Sequence, residues 1–201
     1  LTSIRGYAEA IDDGNVDPRR AAGVIRDESQ RLERLVADLL DLAKLQSRAF
    51  TFHLAPVDLS AAVHTATAGA EPSRPDVAFH PVTSGPVPVQ ADPDRLAQVL
   101  ANLLENAGKY ANNAVHVAAR VEGDRGIVTV DDDGPGIAAE DLPHVFERLY
   151  TARRTPQRKE NSSGLGLAIV KELVTAMGGD VAAGAAPRGG ARLTFWLPLR
   201  T

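Results

Sequence analysis

The sequence contains no cysteine, and aromatic residues make up only 4% of its 201 residues. The absence of cysteine excludes a disulfide-stabilised scaffold and a zinc site with thiolate ligands, and it is compatible with a reducing compartment. No apolar stretch approaches the roughly 20 residues that a membrane-spanning helix needs. Basic residues do not outnumber acidic ones: there are 22 lysines and arginines against 26 aspartates and glutamates, and the formal net charge is −4. No nucleic-acid partner is therefore expected.

The remaining composition, with 44% hydrophobic and 24% charged residues, is typical of soluble proteins. The length suffices for one good core or two small domains. The chain opens directly on LTSIRGYAEAI, without a signal peptide or an initiator methionine. We therefore expect it to be part of a longer protein.

A helical hairpin is predicted at the amino end. Residues 1–13 have the pattern of a helix end, and a second helix is predicted from Asp17-Pro18 to about Ser47. Its apolar positions form two rows with seven-residue spacing: Ile25, Leu32 and Leu39, and then Leu35 and Leu42. This spacing is typical of a coiled coil or bundle, so we expect a homodimer through the hairpin. The alternative is one hairpin packed on its own domain.

The character of the sequence changes near Pro56, and we predict two domains, residues 1–49 and 50–201. The second domain is predicted to be α+β, with a mainly antiparallel sheet covered by helices on one face. Its predicted elements, in order, are a helix from Asp58 to Ala70, strands Val77–His80 and Val87–Gln90 around a Gly85-Pro86 turn, a helix from Asp92, a hairpin of Ala114–Val121 and Gly126–Asp132, a helix Leu165–Met177, and strands Asp180–Gly184 and Ala191–Leu199 around Arg188-Gly189-Gly190.

The helix that begins at Asp92 has two faces. Its apolar face consists of Leu96, Val99, Leu100, Leu103, Leu104 and Ala107. The opposite face carries Asn102, Asn106 and Lys109. Two asparagines one turn apart are unusual within a helix, because asparagine is a poor helix former. They indicate either a solvated face or a functional one, in which amide oxygens bind Mg²⁺ and the lysine meets a phosphate.

An acidic, glycine-rich segment follows the predicted central hairpin. Val128, Val130 and Asp132 share one side of a strand, so Asp132 lies on the core side if the valines do. A carboxylate there needs a partner, and the amino group of a purine is a suitable donor. The glycines of the following Gly134-Pro135-Gly136 allow a ligand to approach closely. The alternative is a plain acidic turn.

A polar, basic segment, Thr151–Ser163, has no apolar periodicity. It leads into Ser163-Gly164-Leu165-Gly166-Leu167, which opens a predicted helix. A glycine-rich helix start binds anions through its free N–H groups and its dipole. The basic segment is therefore interpreted as a phosphate lid, with a solvated loop as the alternative.

The order NLLENAGKYA, DDDGPGI, FERLY, basic lid and SGLGLAIV resembles the N, G1, F and G2 boxes of sensor histidine kinases. The opening LTSIRGYAEAI resembles the continuation of that family's phosphoacceptor helix, and Gly189-Gly190 its closing glycine box. The resemblance implies a truncated dimerisation and phosphotransfer hairpin of the four-helix-bundle type. It implies a Bergerat-type (GHKL) ATP-binding catalytic domain, shared with gyrase, Hsp90 and MutL, after the hairpin.

The resemblance also implies roles for individual residues. Asn106 would be the Mg²⁺ ligand with Asn102 close by, and Asp132 would read the adenine. The other positions expected to contact the nucleotide or its phosphates are Lys109, Tyr110, Gly134, Gly136, Ile137, Arg148, Ser163, Gly164, Leu165, Gly166 and Leu167. Asn102, Asn106 and Lys109 form the expected catalytic set.

The implied activity is ATP-dependent autophosphorylation on a histidine, followed by transfer to an aspartate of a response regulator. The acceptor histidine is expected just before Leu1, because His53, His64, His80, His116 and His144 do not match the family's context. The chain itself is expected to bind Mg·ATP without labelling itself. The implied location is the cytoplasmic portion of a protein anchored to the membrane, if at all, by segments outside this chain.

Two alternatives differ in chemistry. The first is a clamp-type ATPase of the same fold, but those enzymes carry a glutamate at the position of Asn102, and an amide cannot activate water. Glu105, about 60° further round the helix, is a weaker candidate base. The second alternative is a nucleotide-binding dimerisation module without catalytic activity.

Overall fold

The computed structural model describes residues 2–46, 51–150 and 164–200. The chain divides into two compact units, Leu1–Lys44 and Leu45–Thr201. The boundary predicted between residues 49 and 50 lies outside the described residues and stays a prediction, as do the lid at 151–162 and its end at Ser163.

The first unit contains the two helices that the sequence predicts. Helix α1 spans Thr2–Asp12 and helix α2 spans Pro18–Gln46. The Asp17 carboxylate accepts a bond from the Arg19 N–H at 3.0 Å and so caps the start of α2. Val36, Leu39 and Leu40 of α2 are more than half exposed. The side chains of Leu35 and Leu42 lie outside the described set.

The second unit alternates strands and helices. Its strands are β1 (Ala55–Asp58), β2 (Ala78–Thr83), β3 (Pro88–Ala91), β4 (Ala114–Glu122), β5 (Arg125–Asp132), β6 (Asp180–Ala185) and β7 (Ala191–Pro198). Its helices are α3 (Leu59–Ala70), α4 (Pro93–Tyr110) and α5 (Gly166–Ala176), with short 3₁₀ turns at Glu71–Ser73 and Leu142–His144.

Five strands form the main sheet in the order β2-β4-β5-β7-β6, with β2 and β4 parallel and the other neighbours antiparallel. Alternate residues of β7, such as Leu193 and Phe195, are buried, and so are Val128 and Val130 of β5. Helices α3, α4 and α5 pack on the sheet, and no other described helix of the second unit packs on its opposite face, which is the open face. The α+β class with a mixed, mainly antiparallel sheet is confirmed.

Helix α4 begins and packs as its sequence predicts. The Asp92 carboxylate accepts bonds from the N–H groups of Asp94 and Arg95 at 3.1 and 3.2 Å, and Pro93 occupies the first turn. The predicted apolar positions are all buried against the core: Leu96, Val99, Leu100, Leu103, Leu104 and Ala107. The polar residues of interest are therefore left on the other side of the helix.

The two strands predicted on either side of the Gly85-Pro86 turn belong to different sheets. β3 pairs with β1 in a separate two-stranded sheet, and β2 pairs with β4. The Asp58 carboxylate accepts a bond from the Val87 N–H at 2.8 Å, and the Leu59 N–H donates to the Val87 carbonyl at 3.0 Å. Because the start of α3 uses these backbone groups, the chain crosses from one sheet to the other.

Candidate functional site

Helices α4 and α5 bring two of the predicted motifs together. The Asn102 side-chain amide donates to the Gly166 carbonyl at 3.4 Å. A Cβ on Gly166 would lie 3.8 Å from the Asn102 Cγ, so the glycine start of α5 lies against this face of α4. Asn106 follows one turn later and is half-buried. Its amide makes no hydrogen bond within the described residues, so its oxygen is available to a ligand.

The end of α4 lies against the glycine turn after β5. The Lys109 Nζ is buried and lies 5.5 Å from the centroid of the Tyr110 ring. A Cβ on Gly134 would collide with the Tyr110 carbonyl oxygen. Only glycine therefore allows the turn to approach the helix end so closely.

Asp132 is buried at the core-side end of β5, as the alternation of the strand predicts, with 5% of its surface exposed. Its Oδ1 accepts bonds from the N–H groups of Gly134 at 2.9 Å and Ala191 at 3.2 Å. Within the described part of the chain, Oδ2 accepts none. Burial raises the pKa of Asp132, the two N–H donors lower it in part, and the neighbouring carboxylates raise it further.

Asp133, which sequence reasoning left without a role, holds the turn between α4 and β4. Its carboxylate accepts bonds from the N–H groups of Asn112, Asn113 and Ala114 at 2.7 to 3.2 Å. Burial acts to raise the pKa of Asp133, but the backbone donors outweigh it and hold the pKa below its usual value. Because successive residues of a strand point to opposite faces, the sequence already indicates that the Asp133 side chain points away from that of Asp132. This was the sequence signal for a different role of Asp133.

The segment before the predicted lid packs onto the start of α5. The Leu149 N–H donates to the Gly164 carbonyl at 2.8 Å, and Leu149 has a left-handed backbone with φ of 59°. The Tyr150 hydroxyl donates to the buried carboxylate of Asp141. Arg148, predicted to contact phosphate, donates to Glu172 of α5 at 2.9 Å. Its predicted role is untested by this contact.

The start of α5 has no side-chain cap at Leu165. Gly164 before it has a positive φ of 67°, and Leu165 is buried, whereas Leu167 is half-buried. The first-turn N–H groups of a helix have no intrahelical partners, so this end suits an anion. Gly136 and Ile137 lie half-buried in the turn after β5, and Gly136 has a positive φ of 76°.

The described residues thus bring the three predicted motifs into one region: Asn102 contacts Gly166, and Gly134 joins Tyr110 to Asp132. No group of three histidine or carboxylate side chains that could hold a metal ion occurs among the described residues. A divalent cation here would depend on amide oxygens and on oxygens of the ligand itself. None of the described helices is both long and apolar enough to cross a membrane.

Residues 91–201, more than half of the chain, match the model of the "Histidine kinase-, DNA gyrase B-, and HSP90-like ATPase" family. The chain belongs to this family. Residues 1–48 match the "His Kinase A (phospho-acceptor) domain". Together the two matches make the chain the ATP-binding catalytic region of a two-component sensor histidine kinase, joined to acceptor-domain sequence.

Curated relatives place this kinase region among sensor kinases. It is 33% identical to the sensor histidine kinase WalK of Bacillus subtilis over 100% of the chain and 34% of WalK. It is 35% identical to the sensor protein RstB of Escherichia coli over 99% of the chain and 46% of RstB. The chain therefore spans between a third and a half of the length of these relatives.

Solved structures of histidine kinases share the fold. Full-length ShkA in complex with AMPPNP superposes with a TM-score of 0.77 and 31% identity, over 92% of this kinase chain and 40% of ShkA. The mycobacterial sensor histidine kinase MprB gives a TM-score of 0.63 and 29% identity, over 73% of this chain and 99% of MprB. The histidine kinase AdeS of Acinetobacter baumannii, at 24% identity and a TM-score of 0.80, supports the fold alone.

Proposed function

We propose that the site between α4, α5 and the β5 turn binds Mg·ATP for phosphoryl transfer to histidine. The observation that carries this proposal is Asp132: Oδ1 is held by two backbone N–H groups, and Oδ2 accepts no bond from the described residues. A buried acceptor without a donor is costly. The amino group of adenine supplies that donor, which supports the role of adenine reader for Asp132.

The donor set of the site fits the rest of the nucleotide. The amide oxygens of Asn106 and Asn102 are hard, neutral ligands suited to Mg²⁺ between phosphates. The ammonium of Lys109 and the N–H groups at the start of α5, from Gly164 to Leu167, are suited to phosphate oxygens. When bound, Mg²⁺ neutralises the charge that develops on the transferred phosphoryl group.

The reaction we propose is phosphorylation of a histidine, in the parent protein, that lies before Leu1. Residues 1–48 match an acceptor domain but contain no histidine, since His53 is the first in the chain. Asn102 supports a kinase over an ATPase, because an amide cannot act as the base that activates water. An aspartate on a response regulator is the proposed second acceptor. Because the proposed reaction consumes ATP, the cytoplasm is the proposed location of the region.

A dimer is the proposed assembly. Val36, Leu39 and Leu40 lie on one face of α2 and are 58%, 62% and 54% exposed. Exposed aliphatic side chains at helical spacing, together with the Ile25, Leu32 and Leu39 row, support pairing with the same helix of a second copy.

Calorimetry with Mg·ADP and Mg·ATP tests the nucleotide assignment. The Asp132→Asn variant keeps an acceptor for Gly134 and Ala191 but presents an NH₂ group to the adenine amine. We expect its affinity to fall about tenfold or more, because a mismatched buried polar group costs about 1–3 kcal/mol. Asp124→Asn, at a side chain 95% exposed in the β4–β5 turn, is the matched control. Equal affinity of Asp132→Asn and the unsubstituted chain would contradict the assignment.

A further inference from the structure

The open face of the sheet carries an ion pair directly behind the proposed adenine reader. The Arg192 Nε donates to Asp131 Oδ1 and its NH2 group to Oδ2, each at 2.6 Å. The two side chains are 34% and 18% exposed, and the bond to Asp131 raises the pKa of Arg192. A bidentate, partly buried pair of this kind fixes geometry better than an ordinary surface pair does.

The position of the pair connects it to the site. Asp131 and Arg192 are register partners at the end of the β5–β7 ladder. Their chain neighbours, Asp132 and Ala191, point to the opposite face, where the Ala191 N–H donates to Asp132 Oδ1. The Arg192–Asp131 ion pair thus joins β5 and β7 on the open face of the sheet. The adjacent residues, Ala191 and Asp132, are joined by a hydrogen bond on the opposite face.

The hydrogen bond from the Ala191 N–H to Asp132 Oδ1 tolerates little movement of β7 relative to β5. The Ala191 nitrogen lies 3.2 Å from Asp132 Oδ1, near the upper limit for an N–H···O bond. A Cβ on Gly190 would collide with the Asp132 backbone oxygen, so β7 enters in tight contact with the end of β5. A small outward shift of β7 would lose one of the two donors that orient the carboxylate.

We propose that the Arg192–Asp131 pair is a positioning device for purine selectivity, which holds Ala191 against Asp132 and so aims Oδ2 at the base. This inference rests on the proposed adenine site. The turn between β6 and β7 has a second contact that does not depend on the Arg192–Asp131 pair: the Arg188 guanidinium donates to His116 Nε2 at 2.6 Å. Loss of the ion pair should therefore loosen the reader and leave the fold intact.

The test compares binding of ADP and inosine diphosphate, which carries a carbonyl in place of the 6-amino group. The unsubstituted chain should prefer ADP by about tenfold or more, because Asp132 offers only an acceptor. Arg192→Met keeps the aliphatic stem and removes the charge. It should reduce the preference for ADP roughly threefold or more, mainly through weaker ADP binding. Asp131→Asn should act in the same direction and carries the test if Arg192→Met fails to fold.

Arg120→Met is the matched control, because Arg120 forms an ion pair with Glu122 on the same open face at the far end of β4. It should leave both affinities unchanged. Equal weakening of both nucleotides, or an unchanged preference in Arg192→Met and Asp131→Asn, would show a structural pair only and overturn the inference. Absence of any nucleotide binding by the unsubstituted chain would instead contradict the proposed function.

Discussion

Asp132 and Asp133 are neighbours in the chain, yet their pKa values shift in opposite directions. Asp132 is buried, and burial is the main cause that raises its pKa. Asp133 is also penalised by burial, but the N–H groups of Asn113, Ala114 and Asn112 outweigh it and lower its pKa. One carboxylate is thus held ready for a ligand, and the other is used by the fold itself.

The first prediction concerns the stability of the nucleotide-free protein. Because its folded-state pKa is raised, Asp132 binds its proton more tightly in the folded state, so its contribution to stability is lost as pH rises above 3.8 through the folded pKa. Asp132→Asn removes this loss. The thermal midpoint of Asp132→Asn minus that of the unsubstituted chain should therefore rise between pH 4 and pH 7. A difference that stays constant or falls would contradict a raised pKa.

The second prediction concerns Asp133, for which the sign is reversed. Its lowered pKa contributes stability above the unfolded value of 3.8, and this stability is lost as pH falls through the folded pKa. Asp133→Asn keeps one acceptor and loses the charge, so urea unfolding at pH 7 should show a loss of about 1 kcal/mol. The loss should shrink as the pH falls below 3.8 and through the folded pKa. Asp124→Asn, which is highly exposed, should show no such loss at either pH.

Short-range patterns predicted much of the site. The period of two along β5 placed Asp132 on the core side, and the caps at Asp58 and Asp92 predicted the starts of α3 and α4. These features depend on residues within a few positions of each other, which is where sequence patterns are informative.

Contacts between residues far apart in the chain could not be predicted from such short-range patterns. The sequence predicts a turn at Gly85-Pro86 between two strands, but it does not show that the Val87 N–H donates to Asp58, 29 residues earlier. Arg148 donates a hydrogen bond to Glu172, 24 residues later, and Arg192 donates to Asp131, 61 residues earlier. Such contacts follow from strand order and helix placement, and no local pattern specifies either.

The third prediction tests the dimer through α2. Leu39→Asp places a charge on the exposed apolar face of α2, and burial of an unpaired charge between two helices is costly. Light scattering at high concentration should show a dimer for the unsubstituted chain and a monomer for Leu39→Asp. Ala37→Asp adds the same charge at an exposed position about 160° round the helix from Leu39 and should leave the dimer intact. A monomeric unsubstituted chain at high concentration would contradict the proposed pairing of α2 with a second copy.

The fourth prediction is that residues 1–201 bind ATP without labelling themselves. Phosphoryl transfer needs a nucleophile in line with the γ-phosphate, and a neutral imidazole serves near physiological pH. The hairpin contains no histidine. All five histidines belong to the second unit: His53 precedes β1, and the others lie at His64 of α3, His80 of β2, His116 of β4 and His144 of a 3₁₀ turn.

Incubation with γ-labelled ATP should therefore yield no acid-labile phosphoprotein from this chain. A chain extended at its amino end by the acceptor helix should become labelled, and Asn106→Asp or Asp132→Asn in that longer chain should remove or sharply reduce the label. The two residues are assigned to different ends of the nucleotide, so a loss of label in both variants would show that labelling depends on the proposed ATP site. Strong labelling of residues 1–201 alone, mapped to any of the five histidines, would overturn the proposal that the acceptor lies before Leu1.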